Sequence, residues 1–194
     1  SISADSSLNG DGGRIIVWAD GVTTFTGDLS ATGSGSGSGG FAEVSGKNVL
    51  NFEGSVDLTS ASGVTGSLLL DPTNITISKS AGSHTSISTS GSTTLEPSAA
   101  AGSVISLSTL NTALGSSNVT IQTAAGGGSE LGNITVDTGS AITGANDLTI
   151  TADGDFTMLS GSINLGAGDL TITTGNTNDE GTILVFADVT AGDI

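Results

Sequence analysis

Short apolar segments recur along the chain, most of them alternating apolar and polar residues with a period of two. They include Ile15-Ile16-Val17, Leu68-Leu69-Leu70, Ile75-Thr76-Ile77, Val119-Thr120-Ile121, Ile134-Thr135-Val136, Leu148-Thr149-Ile150, Ile163-Asn164-Leu165 and Leu170-Thr171-Ile172. Gly, Asn or Asp stands close to nearly all of them, as expected for half-buried strands that enter and leave turns. The segment Asn146-Asp147-Leu148-Thr149-Ile150-Thr151 returns further on as Gly168-Asp169-Leu170-Thr171-Ile172-Thr173. Upstream, and at a somewhat longer offset, Phe25 and Gly27 return as Phe52 and Gly54. Repeats of about 20 to 27 residues, each with two or three short strands, suit stacking and not a sandwich, whose strands pair with distant ones. The predicted fold is all-β, a parallel β-helix with one repeat per coil. About eight coils at about 4.8 Å would give a rod about 40 Å long. In it Leu148, Ile150, Leu170 and Ile172 point inward, and Thr149, Thr151, Thr171 and Thr173 form outward ladders.

One stretch departs from this rhythm. Residues 79–117 are Ser/Thr-rich at first, and Ser108 to Gly115 then read as a short helix over 108–114. Leu107, Leu110 and Leu114 share a face, with Ser108 as N-cap and Gly115 beyond the C-terminus. The same residues also fit one more strand followed by a loop. The chain thus divides into coils over 1–78 with a Gly/Ser-rich loop at 33–40, an irregular insertion over 79–117, and coils over 118–194, all in one continuous rod. Both ends look like cut strands, so a fragment of a larger protein is expected.

Composition narrows the function. The 194 residues carry Lys+Arg 3 against Asp+Glu 19, for a net charge of -16. Such a chain repels a phosphate backbone, so no nucleic-acid partner is expected, and an anionic membrane is equally unsuited. Arg14, Lys47 and Lys79 leave little to clamp anionic substrates, which speaks against an enzyme. Gly, Ser and Thr make up almost half the chain, yet the mean hydropathy is +0.22 and β-branched residues abound, so the pattern is ordered β-structure and not disorder. The sequence has no Cys and no apolar run long enough for a membrane helix.

Three blocks in order carry a resemblance: Asp11-Gly12-Gly13-Arg14-Ile15-Ile16-Val17-Trp18-Ala19-Asp20-Gly21, Gly39-Gly40-Phe41-Ala42-Glu43-Val44-Ser45-Gly46-Lys47, and Gly66-Ser67-Leu68-Leu69-Leu70-Asp71-Pro72-Thr73-Asn74-Ile75-Thr76-Ile77. A fourth runs from Ile105 through Leu110, Ala113 and Leu114 to Asn118-Val119-Thr120-Ile121. Together they resemble the large exoproteins of the filamentous haemagglutinin type, over most of residues 11–175. The resemblance implies a right-handed parallel β-helix that is secreted or displayed on the outer surface of a Gram-negative cell by two-partner secretion. It implies cell-surface receptors or glycans as partners, and an outer-membrane secretion partner acting through a domain absent from this sequence. The amino-terminal secretion domain with its Asn-Pro-Asn motifs is missing, so that role is not carried over. The expectation is an enzymatically inert adhesin shaft without cofactors, capable of end-to-end self-association.

Other residues invite chemistry and also have structural readings. Asn74, Asn118 and Asn133 head sequons and are candidates for glycosylation, although Asn at these turns also satisfies backbone amides. Some adhesins similar to this chain are glycosylated at such sequons. Asp153, Asp155 and Asp179 are the candidate metal ligands, but they lack the spacing of a calcium loop, and solvated turns suit them better. His84 stands alone in a Ser/Thr-rich loop, where no metal site or triad can be assembled around it. Trp18 suits a core or shoulder position better than a ligand platform. Two further functions remain as alternatives: a carbohydrate- or ice-binding Thr ladder, and a polysaccharide lyase.

Overall fold

Alternating apolar residues become strands wherever one face can be buried, and the computed structural model shows nineteen strands and one helix among the residues it describes, 1–79, 102–124, 131–137, 139, 141–175 and 181–194. The chain opens with β1 (Ile2–Ser3). A first pass follows with β2 (Arg14–Ala19), β3 (Val22–Phe25) and β4 (Asp28–Ser30), and a second with β5 (Phe41–Gly46), β6 (Val49–Phe52) and β7 (Ser55–Asp57). The third pass holds β8 (Ser67–Leu70), β9 (Ile75–Ser78), β10 (Ser103–Ser106) and α1 (Leu107–Ala113). Three more passes complete the chain: β11 (Asn118–Gln122), β12 (Ile134–Asp137) and β13 (Ala141–Thr143); β14 (Leu148–Ala152), β15 (Phe156–Met158) and β16 (Ser162–Asn164); β17 (Leu170–Thr174), β18 (Ile183–Val185) and β19 (Asp188–Thr190).

Every pass sends a strand to each of two sheets, and every pass but the third sends another to a third face. The first strands form a six-stranded sheet in the order β17-β14-β11-β8-β5-β2, and the second strands a seven-stranded sheet in the order β18-β15-β12-β9-β10-β6-β3. The third strands form two three-stranded sheets, β1-β4-β7 and β13-β16-β19. All pairings between these strands are parallel. Arg14 lies opposite Phe41 and Phe25 opposite Phe52, at the longer repeat offset, while Leu148 lies opposite Leu170, at the shorter one. The two repeat lengths visible in the sequence are therefore the strand-pairing registers. Phe25 and Phe52 stack with ring centroids 6.0 Å apart.

The core consists of inward columns. Ala42, Leu68, Val119, Leu148 and Leu170 line one, and Val44, Leu70, Ile121 and Ile150 another, all of them buried. Each large side chain so buried contributes about 1.5–3 kcal/mol. Thr149, Thr151, Thr171 and Thr173 lie on the other side of the sheet, half-buried or exposed.

The third pass is exceptional in two places. β10 follows β9 in the chain but sits between β6 and β9 in the sheet, so this pass contributes two strands to the seven-stranded sheet. Ser103 is buried there, and its Oγ accepts the backbone N–H of Leu50 at 2.8 Å. On the third face α1 takes the place of a strand. Ser116 Oγ donates to Val56 O at 2.6 Å on one side, and Asn111 accepts the N–H of Thr143 at 2.9 Å on the other, which ties the helical region to both β7 and β13. A helix about 10 Å across matches two strand spacings of about 4.8 Å, so both insertions thicken the same pass. The helix runs over 107–113, not 108–114, and its N-cap is Ser106, not Ser108: Ser106 Oγ accepts the N–H of Thr109 at 3.1 Å. Of the irregular stretch 79–117, residues 80–101 lie outside the described residues.

Candidate functional site

The described residues place most of the Asp and Asn side chains singled out in the sequence at corners between faces, where they cap the next pass. Asn74 Oδ1 accepts the backbone N–H of Asn133 at 2.8 Å, Asn133 Oδ1 that of Asp155 at 2.8 Å, and Asp155 Oδ1 that of Thr182 at 2.8 Å. A second corner repeats the arrangement. Asn118 accepts from Asp147 at 3.1 Å, Asp147 from Asp169 at 2.9 Å, and Asp169 from Asp193 at 2.9 Å. Near the amino terminus Asp5, Asn9 and Asp11 accept the N–H groups of Thr32, Ser36 and Ser38, one pass ahead. The bonds at these corners are exposed or half-buried, so the side-chain oxygens compete with water for the amides and complete the backbone pairing where the chain turns, at a modest gain each.

This geometry decides how the sequence candidates are used. Asn74, Asn118 and Asn133 satisfy backbone amides as the turn reading expected, but in the next pass and without left-handed backbone, since among the described residues only Gly has positive φ. Asn118 also donates Nδ2 to Thr65 O at 3.4 Å. Asp155 belongs to a corner ladder, whereas Asp153 is buried and its N–H donates to Thr123 Oγ1 at 3.3 Å. Among the described residues no three His, Cys, Asp or Glu side chains group as a metal ion would require. Asp179 and His84 lie outside the described residues. An outward column of hydroxyls runs Thr120, Thr149, Thr171 on the six-stranded sheet, beside a second polar column of Gln122, Thr151 and Thr173. A third column runs Thr76, Thr135, Thr157 on the seven-stranded sheet.

Trp18 corrects the sequence reading. It is 54% exposed and does not fill the core, because alternation along β2 turns Ile15 inward and both Ile16 and Trp18 outward. Beside it on β5 lies Ser45, an outward position that is nonetheless buried, with its Oγ donating to Glu43 Oε1 at 3.0 Å. One strand further on, Asp71 is half-buried, and burial, with the nearby charge of Glu43 second, pushes its carboxyl above the usual range. Arg14 rests its guanidinium 4.8 Å from the Phe41 ring centroid at the far end of β2. At the opposite extreme, Asp5 is held well below the usual carboxylate range by the hydroxyls of Ser3 and Ser30 and by the amide and hydroxyl of Thr32. Sequence reasoning missed Glu43, Asp71 and Asp5. The longer repeat register was the signal available for Asp5, while Glu43 and Asp71 are not brought together by any short motif.

No protein-family model matches this sequence, and no curated protein is significantly similar to it.

Proposed function

We propose that the chain is a segment of a right-handed parallel β-helix that serves as the shaft of a secreted or surface-displayed adhesin of the filamentous haemagglutinin type. The observation that carries this reading is the repetition itself: six successive passes each send a strand to the six-stranded sheet and at least one to the seven-stranded sheet, joined by parallel pairing and by Asn and Asp caps from pass to pass. Such a stack lengthens by nearest-neighbour contacts alone and needs no disulfide. A shaft of this kind projects binding regions towards receptors or glycans on another cell, and it carries no catalytic role. Its secretion partner is an outer-membrane transporter, and its place is the outer surface of a Gram-negative bacterium. Among the described residues, the unpaired edges of β2 and β3 at one end, and of β17 and β18 at the other, suit end-to-end association, which the net charge of -16 opposes until salt screens it. Negative-stain electron microscopy of the parent exoprotein, with and without residues 1–194, tests the reading. The account expects a filament that shortens on deletion while retaining its tip. A filament of unchanged length contradicts it.

The regular columns of Thr120, Thr149 and Thr171 favour one second reading, an outward hydroxyl array that binds carbohydrate or ice. Thermal hysteresis of the isolated segment, abolished by Thr149→Leu, would support it, and its absence would remove the ice-binding form.

A further inference from the structure

We propose that the outward face of β2, β5 and β8 around Trp18 is a stacking site for a neutral glycan, with Glu43 and Asp71 accepting hydrogen bonds from its hydroxyls. This goes beyond the shaft reading, which holds whether or not the face is occupied. Three observations converge on it. Trp18 and Ile16 are both more than half exposed on the solvent side of a regular strand, where an indole gains nothing from the core. Next to Trp18, the small Ser45 is covered and its hydroxyl donates to Glu43, which holds that carboxylate beside the indole's row. Trp18 pairs with Ser45, and Asp71 directly follows β8, whose last pair with β5 is Leu70 with Val44, so continuing that register by one residue brings Asp71 to the end of the row of Trp18 and Ser45.

The chemistry of the row selects the ligand. A pyranose ring presents an apolar C–H face and a rim of hydroxyl donors, and the face offers the Trp18 indole for the first and, for the second, the Asp71 carboxylate with that of Glu43 in the neighbouring row. Two strand spacings separate Trp18 from Asp71, about 10 Å, which a disaccharide unit spans and a single sugar does not. The two carboxylates and the charge of -16 repel sulfated or sialylated chains. Arg14 lies four residues from Trp18 along β2, about 13 Å away, and its guanidinium is placed over Phe41, so it does not reverse that preference.

Trp18 is the single tryptophan of the chain, so its emission reports on this face alone. Cellohexaose, chitohexaose and maltohexaose are titrated into the wild-type chain, with a heparin-derived oligosaccharide and oligolysine as separate arms. The expected result is a saturable blue shift with at least one neutral oligosaccharide and none with the heparin fragment. By calorimetry, Trp18→Ala weakens that binding about tenfold or more, Trp18→Phe keeps most of it, and Glu43→Gln and Asp71→Asn each weaken it about three- to tenfold. Thr24→Ala, exposed on the neighbouring sheet, leaves it unchanged, and circular dichroism of each variant confirms folding. The proposal is overturned if no neutral oligosaccharide shifts the emission or if Trp18→Ala binds as tightly as wild type. It is also overturned if only oligolysine binds, which would make the face a contact for a basic protein.

Discussion

Asp147 Oδ1 accepts the backbone N–H of Asp169 at 2.9 Å, one full repeat along the chain and one strand further across the sheet. The same two residues are the equivalent positions of the sequence repeat, so the repeat is the condition for the cap. An Asp or Asn at this corner serves the following pass and is itself served by the preceding one. Asp147, Asp169 and Asp193 thereby bring three carboxylates into one column, where Asp147 and Asp169 each accept the amide of the next and neighbours face a like charge.

From that balance, Asp169→Ala and Asp169→Asn should part ways. The alanine variant loses the acceptor for Asp193 and is expected to cost about 1 kcal/mol, lowering Tm by about 2–4 °C. The asparagine variant keeps the oxygen and removes a repulsion, and is expected to unfold at or slightly above the wild-type temperature. Differential scanning calorimetry at low salt checks both, and equal losses would deny the capping role.

Burial predicts a second contrast on β14. Ile150 is fully buried, whereas Thr149 faces out. Ile150→Asp puts an unpaired charge in the core and should cost about 4 kcal/mol or more, while Thr149→Asp should stay within about 0.5 kcal/mol. Urea unfolding measures the difference, and similar midpoints for the two variants would mean the faces are misassigned.

Close approach of the backbone gives a third. A Cβ on Gly40 would lie 2.1 Å from the carbonyl oxygen of Gly13, while one on Gly21 would meet nothing within 4 Å. Gly40→Ala should therefore cost about 2 kcal/mol or more, because backbone must shift to admit the methyl, and Gly21→Ala should be tolerated. Expression yield and thermal unfolding of the pair distinguish the two sites.

The pH dependence of stability should carry two opposite signatures. Asp5 has its folded pKa lowered by hydroxyls and an amide, so its contribution is present above the ordinary carboxylate pKa near 4 and is lost as pH falls. Asp71 is raised by burial and by Glu43, so the folded state favours its protonated form and loses stability as pH rises through the folded pKa. At pH 7 Asp5→Asn should destabilise and Asp71→Asn should stabilise. The Asp71 difference should vanish towards pH 3, whereas the Asp5 difference starts to shrink only below about pH 4 and most of it should persist at pH 3, as thermal unfolding across pH 3–8 would show.

Much of this architecture was legible in the residues. Strand positions followed from alternation, and parallel pairing followed from the Asp-Leu-Thr-Ile-Thr repeat, because inward apolar columns and outward Thr columns require the same register in each pass. The place of β10 was not legible. Ser103 to Ser106 share only the Ile-Ser pair with β9 and nothing with β6, and the strand is held by parallel pairing with both and by Ser103 accepting the N–H of Leu50, contacts between residues far apart in the chain. The helix was read one residue late because Ser106 and Ser108 are both competent caps, and only the bond to Thr109 separates them. The outward placement of Trp18 was not legible either, because the apolar run Ile15-Ile16-Val17 does not show which of its residues turn inward. The row it forms with Ser45 and Asp71 exists only once three strands are aligned.

The central claim, a stack that grows by one strand spacing per regular pass and by two at the third pass on the seven-stranded sheet, is tested most directly by a distance across it. The native chain has no Cys, so spin labels on cysteines introduced at Thr24 and Leu184 are unique, and both positions face outward on the seven-stranded sheet. Six strand spacings separate β3 from β18, which gives about 29 Å between backbones, and deletion of residues 147–168 removes one pass and should shorten this to about 24 Å. Double electron–electron resonance on the two chains should show two narrow distributions offset by about 5 Å. An unchanged distance, or a broad distribution that signals collapse of the whole chain on losing one pass, would contradict the stack.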